Sequence, residues 1–440
     1  MLIKKNTPLK GTVTVPCDKS IAHRAFFTAS ICSGESIIRI PVCGLDCLTT
    51  IHCMRSLGIS ITMCKEGFRV IGNGMHGLKP YSGILSCDNS GTTARLLMGL
   101  LSAQSFETSL SGDASLNQRP MKRVTDPLSL MGASFHYHNQ VGVLPLTIQP
   151  APLNGIHFDM IVSSAQVKSA IIYAALYADS PTIINEPVAT RNHTEIFLHQ
   201  CGAQLHKKSQ QLTIHPADIL HPFDLKIPGD FSSAAYFITA ASIVPNSEVC
   251  IRQVNVNPTR VGFLKVVKQM GGKFKLQNKT MVNGEPVADL IIQSASLKGI
   301  TVDSSLIPSM IDEIPLIAIL ACFAEGTTII HDASELRYKE SDRIHAIVEN
   351  LQKIGADIIE YDDGFAILGG QPLHGTTIST YKDHRIAMSF SIAALMADGE
   401  VSLDDWSCVS ISYPEFFQDL LNLTSVSIND AGKRLLHQRY

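Results

Sequence analysis

The sequence predicts an α/β protein of two similar domains, each built from three repeated βαβαββ units around buried helices. Three observations predict it. A glycine recurs behind five helices, a polar cluster opens six apolar helices, and the two series are offset by one member.

The bulk composition sets the frame. The chain has 440 residues, 45% hydrophobic and 17% charged. That length exceeds one ordinary core and suits two domains of about 200 residues each. A formal net charge of −3 gives no basis for a polyanion-binding surface, so no nucleic acid partner is expected. The opening stretch "MLIKKNTPLKGTVTVP" has neither the apolar run nor the cleavage pattern of a leader. No stretch approaches the roughly 18 uninterrupted apolar residues of a membrane span, so no membrane is expected. The eleven cysteines are odd in number and scattered. They read as reduced thiols of a cytoplasmic protein. Their closest cluster, Cys43, Cys47, His52 and Cys53, lacks the short paired spacing of a metal site.

The first series reads as helix end, glycine, strand, turn and strand. It appears in "MRSLGISITMCKEGFRVIG", "LSLMGASFHYHNQVGVLPLTI", "LHQCGAQLHKKSQQLTIH", "VKQMGGKFKLQNKTMVNGEPVADLII" and "LQKIGADIIEYDDGFAILGG". The marker glycines are Gly58, Gly132, Gly202, Gly271 and Gly355, spaced by 74, 70, 69 and 84. Each falls where a helix end needs a left-handed residue.

The second series is "DKSIAHRAFFTAS", "NSGTTARLLMGLLS", "SSAQVKSAIIYAAL", "GDFSSAAYFITAAS", "DEIPLIAILACFA" and "DHRIAMSFSIAAL". Marked at Ser20, Ser90, Ser164, Ser232, Asp312 and His384, its gaps are 70, 74, 68, 80 and 72. Six units of roughly 73 residues therefore fill the chain. The N-terminal strands have no preceding helix, and the expected closure is that they complete the sixth unit. The C-terminal domain is then discontinuous, 1–16 plus 229–440, and the N-terminal domain is 17–228. Two crossings, near Lys19 and near Asp230, suit a hinge.

Helices apolar all round should be buried, with their polar N-termini facing a cleft between the domains. Helix N-termini offer partial positive charge and free N–H groups to anions. Capping alone, about 1 kcal/mol each, accounts for Ser, Asp and Asn. It does not account for Lys19, Arg24, His384 and Arg385. Arg95 belongs with these cations. Arg119, Arg191, Arg260 and Arg343 form a second set, lying 13, 11, 11 and 12 residues before the marker glycines. A chance surface charge does not keep that register. Arginine forks suit phosphate and carboxylate, so the ligands should be small polyanions. Two acids stand among these cations. Asp312 opens a buried helix, and Glu340 opens the helix carrying Arg343. In "LRYKESDRI" the spacing of three puts Glu340 and Arg343 on one helix face, while Arg337 and Asp342 read as supports or surface charge. Neighbouring cations lower a carboxyl pKa and burial raises it, and either acid can move a proton. No nucleophile elbow, Walker loop or dinucleotide fingerprint is present. The residues by themselves reach cofactor-free transfer between small anions.

The ordered motifs "DKSIAHR", "NSGTTARL", "QRPM", "SSAQVKSA", "RNHTE", "GDFSSAAYF", "NPTR", "LRYKESDR" and "DHRIAMS" go further. Over essentially its whole length the chain resembles the 5-enolpyruvylshikimate-3-phosphate (EPSP) synthase family, and four motifs are similar to its class II subgroup. The resemblance implies the enolpyruvyl transferase fold, an inside-out barrel of two domains with the substrates in the cleft between them. It implies transfer of the enolpyruvyl group of phosphoenolpyruvate to the 5-hydroxyl of shikimate 3-phosphate. Phosphate is released through a tetrahedral intermediate, on the route to chorismate and aromatic amino acids. No metal or organic cofactor is required.

Carried over position by position, the resemblance implies Asp312 as base near the 5-hydroxyl. Glu340 and Lys19 are the implied proton-transfer pair around C3 and the bridging oxygen. Lys19, Ser20, Arg24, Ser164, Ala165 by its backbone, Gln166, Arg191, Asp312 and Lys339 should hold shikimate 3-phosphate. Lys19, Asn89, Gly91, Thr92, Arg119, Gln166, Arg343, His384 and Arg385 should surround phosphoenolpyruvate. The implied partners are these two substrates and the inhibitor glyphosate, for a cytoplasmic monomer.

The chain departs from the family pattern in places. Cys17 stands where a Gly or small residue is usual, and Ala22 where Ser or Thr is usual. Ile411 replaces a lysine that in class I members reaches phosphoenolpyruvate. Gly91 is the residue of glyphosate-sensitive members, whereas class II members often carry Ala. The alternative is the sister transferase acting on UDP-N-acetylglucosamine. That family has a reactive Cys shortly before its R-P pair, and "GDASLNQRPM" has none.

Overall fold

The structure is a computed structural model and describes residues 7–41 and 43–424. The tail "SINDAGKRLLHQRY" lies outside the described residues. The helices in chain order are α1 (Lys19–Ile31), α2 (Leu45–Ser56), α3 (Gly91–Leu101), α4 (Lys122–Leu130), α5 (Ala165–Ala175), α6 (His193–Gln200), α7 (Phe231–Ile243), α8 (Gly262–Gln269), α9 (Ile307–Met310), α10 (Ile314–Cys322), α11 (Arg343–Lys353), α12 (His384–Ala393) and α13 (Phe416–Leu423).

Two compact units divide the chain. One comprises Cys17–Pro228 with Met281–Pro286, the turn of a long hairpin. The other comprises the chain up to Pro16, Gly229–Thr280 and everything from Val287. Each has its own hydrophobic core.

The first unit holds three four-stranded sheets of one pattern. An edge strand runs parallel to its neighbour, and an antiparallel hairpin follows. In order these are Ile84–Ser86, Thr108–Ser111, Leu146–Gln149 and Ser134–Tyr137; His157–Asp159, Thr182–Asn185, Gln211–Ile214 and Leu205–Lys208; and Asp224–Lys226, Ser33–Arg39, Gly67–Asn73 and Ser60–Cys64. The other unit repeats the pattern fully once, in Lys10–Val13, Glu248–Asn255, Glu285–Gln293 and Lys273–Val282. Its second copy pairs Thr327–Ile330, Gly364–Leu368 and Asp357–Tyr361, with the parallel edge reduced to a bridge between Thr301 and Ile329. Its third shows the parallel pair Thr377–Ile378 and Ser402–Leu403.

One expectation is corrected. The N-terminal strand does not complete the sixth repeat. Lys10–Val13 lies parallel to Glu248–Asn255, the strand that follows α7, and Leu9, Val13 and Val15 bury in the core around that helix. Conversely, Asp224–Lys226 precedes α7 but pairs with Ser33–Arg39, which follows α1. The edge strands before α1 and before α7 are thus exchanged between repeats. Apolar alternation states which face of a strand is buried, and not which sheet edge receives it.

The helix patterns follow from sequence. All five marker glycines sit just past the ends of α2, α4, α6, α8 and α11, with φ of 86°, 107°, 95°, 92° and 95°. A Cβ disfavours that left-handed region. The apolar helices are interior. Every residue of α7 and of α10 is buried, and each such Phe, Ile or Leu contributes about 2 kcal/mol by transfer from water. The helices α7, α10 and α12 pack on one another, as do α3 and α5. At Gly99 of α3 an added Cβ would meet the Ala170 carbonyl oxygen of α5 at 2.1 Å, so only glycine allows that approach.

Among the described residues, no single helix is long and apolar enough to cross a membrane, and no three His, Cys, Asp or Glu side chains converge as a metal ion would require.

Candidate active site

The starts of the buried helices gather the predicted residues. In the unit containing Cys17–Pro228, Asp18 caps α1 by accepting from the Ile21 N–H. Lys19 and Ser20 thereby lie in the helix's first turn. The Lys19 ammonium is 2.8 Å from the Asp46 carboxylate in the first turn of α2. Arg24 is buried one turn further along. Its guanidinium donates to Thr194 Oγ1 at 2.7 Å, to Ser169 Oγ at 2.8 Å and to the Ser20 carbonyl at 2.9 Å, with a longer bond to the Ala165 carbonyl at 3.5 Å. Burial lowers its pKa, and these acceptors replace water around its charge. Arg191 donates to Ser20 Oγ at 3.2 Å. Ser20, Arg24, Ala165 and Arg191 thus form one bonded group.

A second group adjoins α3 and α5. Ser90 and Ser164 cap these helices. Gln166 accepts from Arg95 Nη1 at 2.6 Å and donates to Thr92 Oγ1 at 2.9 Å. Asn89 accepts from Arg119 Nη2 at 2.7 Å and donates to Asp113 at 2.6 Å. At Gly91, the first residue of α3, an added Cβ would lie 2.8 Å from Arg95 Nη1 and 3.4 Å from Arg119 Nη1. Two guanidinium groups therefore converge on a residue without a side chain.

The other unit holds the acids. Asp312 precedes α10, whose cap position is Glu313. Its carboxylate stands among three cations: Arg343 Nη1 at 3.3 Å, Arg385 Nη2 at 3.7 Å and Lys339 Nζ at 3.8 Å. Burial lowers the Lys339 pKa, against the pull of Asp312. Arg343, 1% exposed, also meets Glu340 at 2.6 Å and Asp383 at 2.8 Å. Burial pulls the Arg343 pKa down, but Asp383 and Glu340 outweigh it and the pKa rises. Burial pushes Asp383 up, yet Arg343 holds it below the usual carboxylate range. Asp383 caps α12, which begins with buried His384 and Arg385.

Glu340 does not sit on the helix with Arg343. It lies between a 3-10 turn, Ser334–Tyr338, and the cap of α11, Asp342. The two meet because the chain folds back over the helix start. Arg337 supports that fold, bonding Asp342 at 2.8 Å and Glu360 at 2.9 Å. Ile411 is half-buried against the core. The Cys17 thiol faces the Ile227 carbonyl at 3.5 Å.

Sequence reasoning missed the acids that hold these cations. Asp46 lies 12 residues before Gly58, in the register that holds arginine in the other repeats. Asp383 opens the quoted motif "DHRIAMS", and a cap two residues before an arginine was the available signal. Arg260 is likewise buried against Asp230 and Glu313. Lys168, read only as part of a motif, is fully buried between Glu186 at 2.9 Å and Glu195 at 2.7 Å.

A family model for EPSP synthase (3-phosphoshikimate 1-carboxyvinyltransferase) matches residues 3–420. The chain belongs to the EPSP synthase family. A 3-phosphoshikimate 1-carboxyvinyltransferase of Thermoanaerobacter sp. (strain X514) is 49% identical over 416 residues, which cover 94% of this chain and 98% of that one. One from Syntrophomonas wolfei is 46% identical, covering 95% and 98%. The solved EPSP synthase of Acinetobacter baumannii superposes with a TM-score of 0.84 at 38% identity, covering 96% and 97%. The enolpyruvyl transferase NikO of Streptomyces tendae gives 0.77 at 17% identity, over 96% of each chain, and shows the shared fold. Like other EPSP synthase family members, the chain is an enzyme with the two-domain enolpyruvyl transferase fold. The shikimate name of these relatives does not favour the UDP-N-acetylglucosamine alternative.

Proposed function

We propose that this family member joins phosphoenolpyruvate to shikimate 3-phosphate, with the acids and cations above in distinct roles. The observation that carries the reading is the Asp312 carboxylate set among Arg343, Arg385 and Lys339, with Glu340 on the same Arg343 fork. A carboxylate held among the cations that would bind the substrate anions is placed to accept a substrate proton.

In this reading Asp312 takes the proton of the 5-hydroxyl as its oxygen bonds to C2 of the enol. Glu340, with Lys19, delivers a proton to C3, forming the tetrahedral adduct. A C3 proton then leaves as the C2–O bond to phosphate breaks, and enolpyruvyl product and inorganic phosphate separate. Lys19, Ser20, Arg24, Ser164, Ala165, Gln166, Arg191, Asp312 and Lys339 hold shikimate 3-phosphate. Lys19, Asn89, Gly91, Thr92, Arg119, Gln166, Arg343, His384 and Arg385 hold phosphoenolpyruvate, or glyphosate in its place. Fixed cations aimed at developing charge are the main expected source of rate. The domains 17–228 and 1–16 plus 229–440, hinged near Lys19 and Asp230, and a monomer in the cytoplasm complete the reading.

The test is release of inorganic phosphate. It should require both substrates and vanish in Asp312→Asn. Release from phosphoenolpyruvate alone, or full turnover in that variant, would overturn the reading.

A further inference from the structure

The described thiols of the unit containing Cys17–Pro228 include three mutual contacts. Cys32 meets Cys201, Cys53 meets Cys87, and Cys43 meets Cys47. The first two pairs are wholly buried. In the third, Cys47 is buried but Cys43 is partly exposed, so an oxidant in solution reaches this pair alone. Its place is specific. Cys43 precedes the Gly44 cap of α2, and Cys47 lies in the helix's first turn, one residue after Asp46. The Cys47 thiol donates to the Lys19 carbonyl at 3.8 Å, while the Asp46 carboxylate holds the Lys19 ammonium at 2.8 Å. One helical turn therefore grips Lys19 at both its backbone and its side chain.

We propose that Cys43 and Cys47 are an oxidisable pair whose disulfide displaces Lys19 and reversibly lowers turnover. The inference rests on the assignment of Lys19 to the transfer reaction. The chemistry balances with a hydroperoxide as oxidant. The partly exposed Cys43 sulfur attacks the peroxide O–O bond, giving a sulfenic acid and one water. Cys47 enters the second step as a thiol, and its proton leaves with the sulfenic hydroxyl. Cys47 sulfur then bonds to Cys43 sulfur, and a second water leaves. Two S–H bonds are lost and one S–S bond forms. The S–H donor to the Lys19 carbonyl disappears with them. Misplacement of a reacting group by about 1 Å costs up to about a hundredfold in rate.

The experiment treats the full chain with hydrogen peroxide, then with dithiothreitol. The readouts are phosphate release and the mass of the peptide running from Ile40 to Arg55. The expected result is loss of two hydrogens from that peptide, a fall in turnover of about tenfold or more, and recovery on reduction. Cys43→Ser and Cys43→Ala should keep basal turnover and resist peroxide. Three outcomes would overturn the proposal: no disulfide, a disulfide with unchanged turnover, or equal sensitivity in both Cys43 variants. Lys19→Met, assayed untreated, separates the two ideas. If it retains turnover, the assignment of Lys19 fails. If it is inactive and the disulfide is harmless, only the switch fails.

Discussion

The Glu340 carboxylate lies 2.6 Å from Arg343 Nη2, although Glu340 stands outside the helix that Arg343 begins. The contact is made by a folded-back turn, so Glu340 can reach a substrate without unwinding α11. Glu340→Gln keeps the size and a hydrogen-bonding oxygen but cannot deliver the proton. Turnover should fall by about 10²–10⁴. Affinity for shikimate 3-phosphate by calorimetry should stay within about threefold. Wild-type turnover in this variant would refute the assignment.

Gly91 marks where the Arg95 and Arg119 forks converge. A methyl there would press on Arg95 Nη1 at 2.8 Å, and Arg95 is tied to Gln166 at 2.6 Å. Gly91→Ala should therefore weaken small anions that enter between the two arginines. Glyphosate inhibition, competitive with phosphoenolpyruvate, should weaken by about tenfold or more, about 1.4 kcal/mol. KM for phosphoenolpyruvate should rise less. An unchanged inhibition constant would sink the idea.

The repeats were legible because local rules set them. A helix end needs a left-handed residue, and glycine at Gly58, Gly132, Gly202, Gly271 and Gly355 supplies it. Arg119, Arg191, Arg260 and Arg343 keep register because each lies just before, or at, the start of the helix that such a glycine ends. The partners of the cations were not legible. Asp46 and Lys19 are 27 residues apart, and Asp383 and Arg343 are 40 apart. Nothing local distinguishes such an acid from an ordinary cap. The placement of Lys10–Val13 was hidden likewise, since its partner strand begins at Glu248.

Lys168 tests how the loop bearing Arg191 is held. Its ammonium joins Glu186 on one side and Glu195 on the other, and Glu186 also bonds the Thr190 N–H at 2.7 Å. Burial pushes the Glu186 carboxyl up, but Lys168, Lys207 and Thr190 outweigh it and hold it at about 2. Lys168→Met leaves carboxylates without their shared cation. Stability should fall by about 3–5 kcal/mol, read by urea unfolding at neutral pH. KM for shikimate 3-phosphate should rise more than kcat falls, because Arg191 and Thr194 lose their support. A variant as stable as wild type would contradict this role.

His23 gives the pH prediction. It is fully buried in α1, with Nδ1 at 2.7 Å from Thr50 Oγ1, and Thr50 continues to Thr93 and Ser90. Burial, aided by Lys19 and Arg24 and opposed by Asp46, lowers its pKa from 6.5 to about 3. The folded chain thus keeps a neutral ring where the unfolded chain takes up a proton. Its contribution is complete above pH 6.5 and is lost as pH falls toward 3. In that window one proton steepens the loss of stability by about 1.4 kcal/mol per pH unit. His23→Gln can still bond Thr50 but cannot titrate, so its stability curve should be flatter by about that slope. Urea unfolding at pH steps from 7 to 4 measures the difference. Parallel curves for the two proteins would mean that His23 is not held neutral by its burial.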